Sequence, residues 1–300
     1  MPRADRTKGQ LAKPSRLPEH IPQPAREGMM AQAQHVEQFS GKVAAITGGT
    51  QGLGEATARL FAARGAAGIG ICGRNRERGA QVAHEIAETG CPVEYVPADL
   101  ARIEDGRNFI DAVERRFGRL DVLINCAAAT DRGRLETTTE EMWDMMFTLN
   151  VKSQFFLIQR AVEVMRRHRI EGAIANIGTI VAYGGPPFLI PYSASKGALM
   201  TMTKGLANAL KFDRIRINTL NIGWTNTPRE HVVQTQVHSR SKNWLEEASR
   251  ELPFGRLIEP DEVARALAFL TSGESGLLTG AVIDFDQQIL GTMPDQPGIG

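Results

Sequence analysis

Residues Gly41 to Gly54 read GKVAAITGGTQGLG, and how this stretch is read decides the fold. Val43 to Ile46 is a short apolar run of strand-forming character, closed by Thr47. Glycines follow at 48, 49, 52 and 54, after which Leu53, Ala56, Leu60 and Phe61 recur at helical spacing. The pattern is strand, glycine turn, helix. Glycines let the backbone bend tightly and lie close to a ligand, while a helix start offers free N–H groups and a partial positive charge. A pyrophosphate suits such a cradle. A glycine turn alone is also an ordinary turn, so the rest of the chain has to carry the argument.

Outward from this unit, strands and helices alternate. Ala67 to Cys72, Pro92 to Val96, Asp121 to Cys126, Ala173 to Ile177, Arg216 to Leu220 and Ala281 to Phe285 read as further strands. Between them come helical patterns at Glu77 to Glu88, around Phe109 to Phe117, at Glu140 to about His168, at Ser193 to Leu210 and at Pro260 to Leu270. Parallel neighbours require crossovers, so this alternation predicts an α/β fold. The expectation is a single doubly wound Rossmann-type domain with a seven-stranded parallel sheet and helices on both faces. Ligands of such sheets bind at the carboxyl ends of the strands.

Composition bounds the function. In 300 residues, 42% hydrophobic and 23% charged content is that of a globular chain with a large core. A net charge of +1 gives no reason to expect nucleic acid or an acidic membrane as partner. Three scattered cysteines make neither a disulfide framework nor a metal site, and a reducing, cytoplasmic location fits. No apolar run reaches the length of a membrane helix. Residues 1–38, rich in proline and without apolar periodicity, are expected to be a disordered or loosely packed extension. Residues 39–293 are expected to form the domain, with an irregular segment at 224–256 and a C-terminal tail at 294–300.

The chain resembles the short-chain dehydrogenase/reductase family. Thr47-Gly48-Gly49-Thr50-Gln51-Gly52-Leu53-Gly54 is similar to its T-G-x-x-x-G-x-G loop, and Tyr192-Ser193-Ala194-Ser195-Lys196 to its Y-x-x-x-K signature. Asp99-Leu100, Asn125 and Asn150 stand at the family's spacings. The likeness runs from about residue 40 to 290. There are departures: N-N-A-G is here Asn125-Cys126-Ala127-Ala128, the active-site serine is Thr179, P-G is Ile222-Gly223, and D-G-G is Asp286-Gln287-Gln288. Thr179 keeps the hydroxyl while its methyl narrows the pocket, so the departures bear on the substrate more than on the activity.

Each candidate residue has a plain alternative. Tyr192 and Lys196, four apart, share one helix face. A lysine charge about 5 Å away at an effective dielectric near 20 lowers a tyrosine pKa by roughly two units. The alternative is an amphipathic helix with a half-exposed Tyr and a solvated Lys. The resemblance gives Thr179 the substrate oxygen and Asn150 a relay water toward Lys196; the plain readings are a strand terminus and a polar residue on a bent helix. The cofactor would be held by Gly48, Thr50, Gln51, Gly52, Leu53, Gly54, Asp99, Leu100, Asn125, Ala127, Tyr192, Lys196 and Thr227. Asp99 could equally be a helix cap.

Arg74 bears on the cofactor. An NAD site usually has an acidic residue at the tip of the second strand. Here Gly73 stands there, with Arg74 beside it and Arg76 near. A guanidinium suits a 2′-phosphate, so NADP is expected; a merely solvated Arg74 would leave NAD. The family likeness makes the segment after Pro228 a substrate lid. His231 and His238 find no partner cluster for a metal. The expected function is NADP-dependent interconversion of a secondary alcohol and a carbonyl on a small-molecule substrate, a sugar or polyol, by a homodimer or homotetramer. The alternatives are a 3-oxoacyl thioester reductase and a non-catalytic dinucleotide-binding regulator.

Overall fold

Strands Val43–Thr47 (β1), Gly68–Gly73 (β2), Val93–Pro97 (β3), Val122–Asn125 (β4), Ala173–Thr179 (β5), Arg216–Ile222 (β6) and Val282–Phe285 (β7) form one parallel sheet in the order β3-β2-β1-β4-β5-β6-β7. The coordinates are a computed structural model and describe residues 37–292. The helices are Gly52–Ala63 (α1), Arg76–Ala87 (α2), Ile103–Phe117 (α3), Glu140–Phe147 (α4), Ser153–Arg167 (α5), Ile190–Leu210 (α6), Pro228–Val232 (α7), Trp244–Arg250 (α8) and Pro260–Thr271 (α9). Most of the expected extension 1–38 and all of the tail 294–300 lie outside the described residues. Where the description begins, Gln38 Nε2 donates to Ser272 Oγ at 3.1 Å and Phe39 stacks on Phe61 at 4.0 Å.

Strands covered on both faces read as unbroken apolar runs, because successive side chains feed opposite layers. In β1, Ala44 and Ile46 join Phe61, Ile69, Ile71, Ile124 and Leu267 on one face. Val43 and Ala45 join Phe109, Leu123, Leu157, Met165 and Ile217 on the other. The sheet order reverses between β1 and β4, where Thr47 pairs with Asn125. A crevice opens at such a reversal, outside the carboxyl ends of the strands.

Two segments differ from the expectation. The long helix from residue 140 is interrupted by a wide π-type turn at Thr148–Lys152. The segment after Thr227 is not irregular: it holds α7, a π-type turn at Val233–Val237 and α8. Its small core is Trp244, Ala248 and Leu257, with Trp224 packed against them. Among the described residues no helix is long and apolar enough to cross a membrane.

Candidate active site

The glycine loop is shaped by backbone that other residues rarely adopt. Gly48 and Gly52 have φ of +66° and +56°, in the left-handed region. Gly54 packs so closely that a Cβ there would lie 2.4 Å from Gly48 O. Ala127 rests on Gly48 from the β4 side, and Thr47 Oγ1 secures that contact by accepting from Cys126 N and Ala127 N, each at 3.1 Å. On another side Thr227 borders Gly52, and its hydroxyl accepts from Glu230 N to start α7. Thr50 and Leu100 are buried, and Leu53 packs against the core.

This cradle fits a dinucleotide phosphate. At the N-cap of α1 the Gln51 side chain makes no capping bond, so the first N–H groups of the helix are left for an anion. Gln51 Oε1 instead accepts from Arg78 Nη1. Arg74 and Arg76 are exposed just beyond β2, the strand tip next to the loop that Arg78 reaches. A Cβ at Gly73 would meet Thr50 Oγ1 at 2.7 Å, which leaves the acidic residue of an NAD site no room without a shift of Thr50. Arg78 and Thr47 are contributions that sequence reasoning did not assign.

Asp99 and Asn125 have duties within the fold. Asp99 Oδ1 accepts from Ala101 N at 3.2 Å, a side-chain turn of its own loop; the N-cap of α3 is Arg102, so Asp99 is not the helix cap set out as its alternative. Asn125 is fully buried and its Nδ2 donates to Asn176 Oδ1 at 2.8 Å. Its own oxygen is buried without a hydrogen-bond partner.

At the carboxyl end of β5 stands Thr179, and Tyr192 lies in the first turn of α6, where the Thr179 hydroxyl favours its ionised form. Pro191 suits that first turn, where a missing N–H is harmless. One turn further, Lys196 is 1% exposed and its Nζ donates to Ile177 O at 2.7 Å. The expected electrostatics need correction. Burial, rather than the lysine charge, dominates the tyrosine and pushes its pKa up to about 12, against the lowering effects of Thr179 and Arg132 and with a raising one from Glu230. Burial likewise holds Lys196 down to about 8. The pairwise estimate neglected the loss of water around both groups.

Asn150 lies in the π-type turn and is fully buried. Its Oδ1 accepts from Ala129 N at 2.8 Å, while Nδ2 donates to Ala129 O and to Ser195 Oγ, both at 3.0 Å. Ser195 Oγ in turn donates to Tyr192 O at 2.8 Å. The amide therefore ties the β4 loop to α6 and has no N–H left over. Sequence reasoning also missed Arg132 and Glu230, whose fields reach the Tyr192 hydroxyl; nothing in their local sequence marks them.

A half-buried phenol beside a second hydroxyl, in a chain that also carries a phosphate cradle flanked by arginines, is the arrangement of a nicotinamide-dependent oxidoreductase. Residues 48–287 match the family described as enoyl-(acyl carrier protein) reductase. The 3-oxoacyl-[acyl-carrier-protein] reductase of Thermotoga maritima is 33% identical over 83% of this chain and 98% of that protein. Glucose and ribitol dehydrogenase homolog 2 of Arabidopsis thaliana is 32% identical over 88% of this chain and 91% of that one. Among solved structures, L-sorbose reductase of Gluconobacter frateurii, complexed with NADPH and L-sorbose, superposes with a TM-score of 0.80 at 30% identity, covering 85% of this chain and 98% of that chain. The chain belongs to the short-chain dehydrogenase/reductase family and is an oxidoreductase of CH–OH and carbonyl groups.

Proposed function

We propose that the protein is an NADP-dependent reductase interconverting a carbonyl and a secondary alcohol on a sugar or polyol. The observation that carries the reaction is the Tyr192 hydroxyl within reach of Thr179, whose hydroxyl favours the ionised phenol, one helical turn before buried Lys196. When bound, the nicotinamide cofactor supplies the hydride in reduction and accepts it in oxidation. A phenol with a pKa near 12 is fully protonated at neutral pH, the state required of a proton donor to a carbonyl oxygen. Thr179 holds that oxygen in place. Lys196 at about 8 keeps most of its charge at neutral pH, favouring the phenolate left after proton transfer. Asn150 fixes the wall on which a relay water rests.

NADP is supported by the Gly73–Thr50 contact, by the arginines at 74, 76 and 78, and by the NADPH bound in the sorbose reductase. A polyhydroxyl substrate is supported by the sugar-acting relatives. A 3-oxoacyl thioester is the second reading, favoured by the Thermotoga relative. A non-catalytic regulator is not favoured, because Tyr192, Lys196 and the hydroxyl at 179 are all in place. We place the enzyme in the cytoplasm as a homo-oligomer, in keeping with its free cysteines.

Two measurements test this. Tyr192→Phe should abolish turnover while NADPH still binds, as followed by its fluorescence; full activity in that variant would end the mechanism. Arg74→Ala should cost NADPH binding roughly 1.5–3 kcal/mol with little change for NADH. Equal losses for both cofactors would rule out a phosphate clamp.

A further inference from the structure

Within electrostatic reach of the tyrosine stands a charged pair that proton and hydride transfer do not themselves require. Arg132 lies on the loop after β4 and is fixed beside the start of α6. Gly133 N donates to Phe188 O at 3.0 Å, and Ile190 N donates to Gly133 O at 3.3 Å. The fit is close enough that a Cβ at residue 133 would lie 3.0 Å from Pro191, the neighbour of Tyr192. Glu230 comes from the lid, on α7, whose first residue follows the Thr227 that borders the glycine loop. Both charges lie within electrostatic reach of the Tyr192 hydroxyl, Arg132 lowering its pKa and Glu230 raising it.

The two groups meet without closing. Arg132 Nη2 and Glu230 Oε2 are 3.8 Å apart, and their side chains are only 19% and 17% exposed. A charge-assisted bond would be about 2.7–2.9 Å. Each partner is anchored elsewhere: Arg132 Nη1 donates to Thr130 O at 2.6 Å and its Nε to His238 Nε2 at 3.5 Å. Glu230 Oε1 accepts from Trp224 Nε1 at 2.8 Å and from Gln234 Nε2 at 2.6 Å. The remaining donor and acceptor are held close but apart. Charges withdrawn from water without full pairing are costly, and a group that both donates and accepts relieves the cost. A hydroxyl does both. A carboxylate or phosphate on the substrate would be opposed by Glu230, and an alkyl chain would desolvate the pair and bond to neither charge.

We infer that Arg132 and Glu230 are specificity-determining residues that read hydroxyl groups flanking the reacting carbonyl, and that they select polyhydroxylated ketones and the matching polyols. The inference rests on the proposed carbonyl–alcohol activity and adds to it the groups that choose the substrate.

The test uses the purified full chain with NADPH. kcat/KM is measured for a panel of ketopentoses and ketohexoses and for 2-heptanone, which carries no hydroxyl. The variants are Glu230→Gln, which keeps shape but loses the charge, and Arg132→Lys, which keeps the charge but loses the fork. NADPH fluorescence reports that each variant is folded. In both, the ratio of kcat/KM on the best ketose to that on 2-heptanone should fall at least tenfold, mainly through KM. An unchanged ratio overturns the inference, whether the rates hold or fall in parallel. A wild-type enzyme that reduces 2-heptanone or a 3-oxoacyl thioester but no ketose also overturns it, while leaving the reductase chemistry standing. If NADPH binds and no carbonyl of any class is reduced, the proposed activity and the inference fall together.

Discussion

Lys196 keeps its amine where water hardly reaches, with a carbonyl oxygen as hydrogen-bond partner. Burial lowers its pKa from 10.5 to about 8. Between those values the unfolded chain binds more protons than the folded one, so stability rises with pH across that window. The penalty is therefore complete below about pH 8 and gone above pH 10.5. At full size it is of the order of 3 kcal/mol, an upper figure that relaxation around the amine reduces. Lys196→Met keeps the apolar stem and removes the charge. In urea unfolding without nucleotide at pH 7, that inactive variant should be more stable than the wild type by about 1–3 kcal/mol, and the gap should close by pH 10.5. A gap that stays constant with pH would locate the effect in packing instead. The same residue shows the limit of arithmetic from sequence. Spacing put phenol and amine on one face, but how dry that face is depends on β5 and the β4 loop, which a local pattern does not reveal.

At the scale of elements, Asn150 explains why the long helix breaks where it does. Its side chain is held by the backbone of Ala129 and by Ser195, and the turn widens at Thr148–Lys152 where those bonds are made. Wide turns of this type gather at functional sites. Asn150→Ala would leave the N–H and C=O of Ala129 without these partners in a buried place. Thermal unfolding should show a loss of roughly 2–4 kcal/mol, with a lower kcat because the β4 loop and α6 are no longer tied together. A loss below about 0.5 kcal/mol would mean that water replaces the amide without cost. The half-buried edge strands β3 (VEYVP) and β7 (VIDF) were placed by the alternation with helices. The central strands were legible because buried parallel strands are largely apolar runs with glycine or polar stops, as in DVLINC at 121–126. The break at 148–152 was not, since apolar spacing continues through it and its cause lies 21 residues upstream. The helices after Thr227 were also missed. α7 and α8 are five and seven residues long and lean on Trp244 rather than on their own periodicity. The arginines near β2 could be read locally, whereas the Arg132–Glu230 pair joins residues 98 positions apart and exists only in the folded chain.

Taken as a whole molecule, the described chain buries its sheet on both faces yet keeps apolar side chains in water along α4 and α5. Trp143, Met145 and Phe155 are 40%, 37% and 38% exposed, and Trp143 is already stacked on Phe147 at 4.9 Å. Covering side chains of this size contributes about 1.5–3 kcal/mol for each one fully removed from water. The chain's net charge of +1 offers almost no repulsion against a second copy. Closed two-fold pairing, which sets the same surface of both copies face to face, is the commonest way to cover such residues. Light scattering on the purified chain at micromolar concentration should therefore give at least twice the 32.8 kDa of one copy. Phe155→Glu would set two like charges against each other across that surface, and the mass should fall toward a single chain while NADPH binding persists, because the glycine cradle lies on α1 and not on α5. A wild-type chain that stays monomeric at that concentration would show that these side chains remain exposed in solution, and a Phe155→Glu variant that keeps the wild-type mass would place the contact on another face.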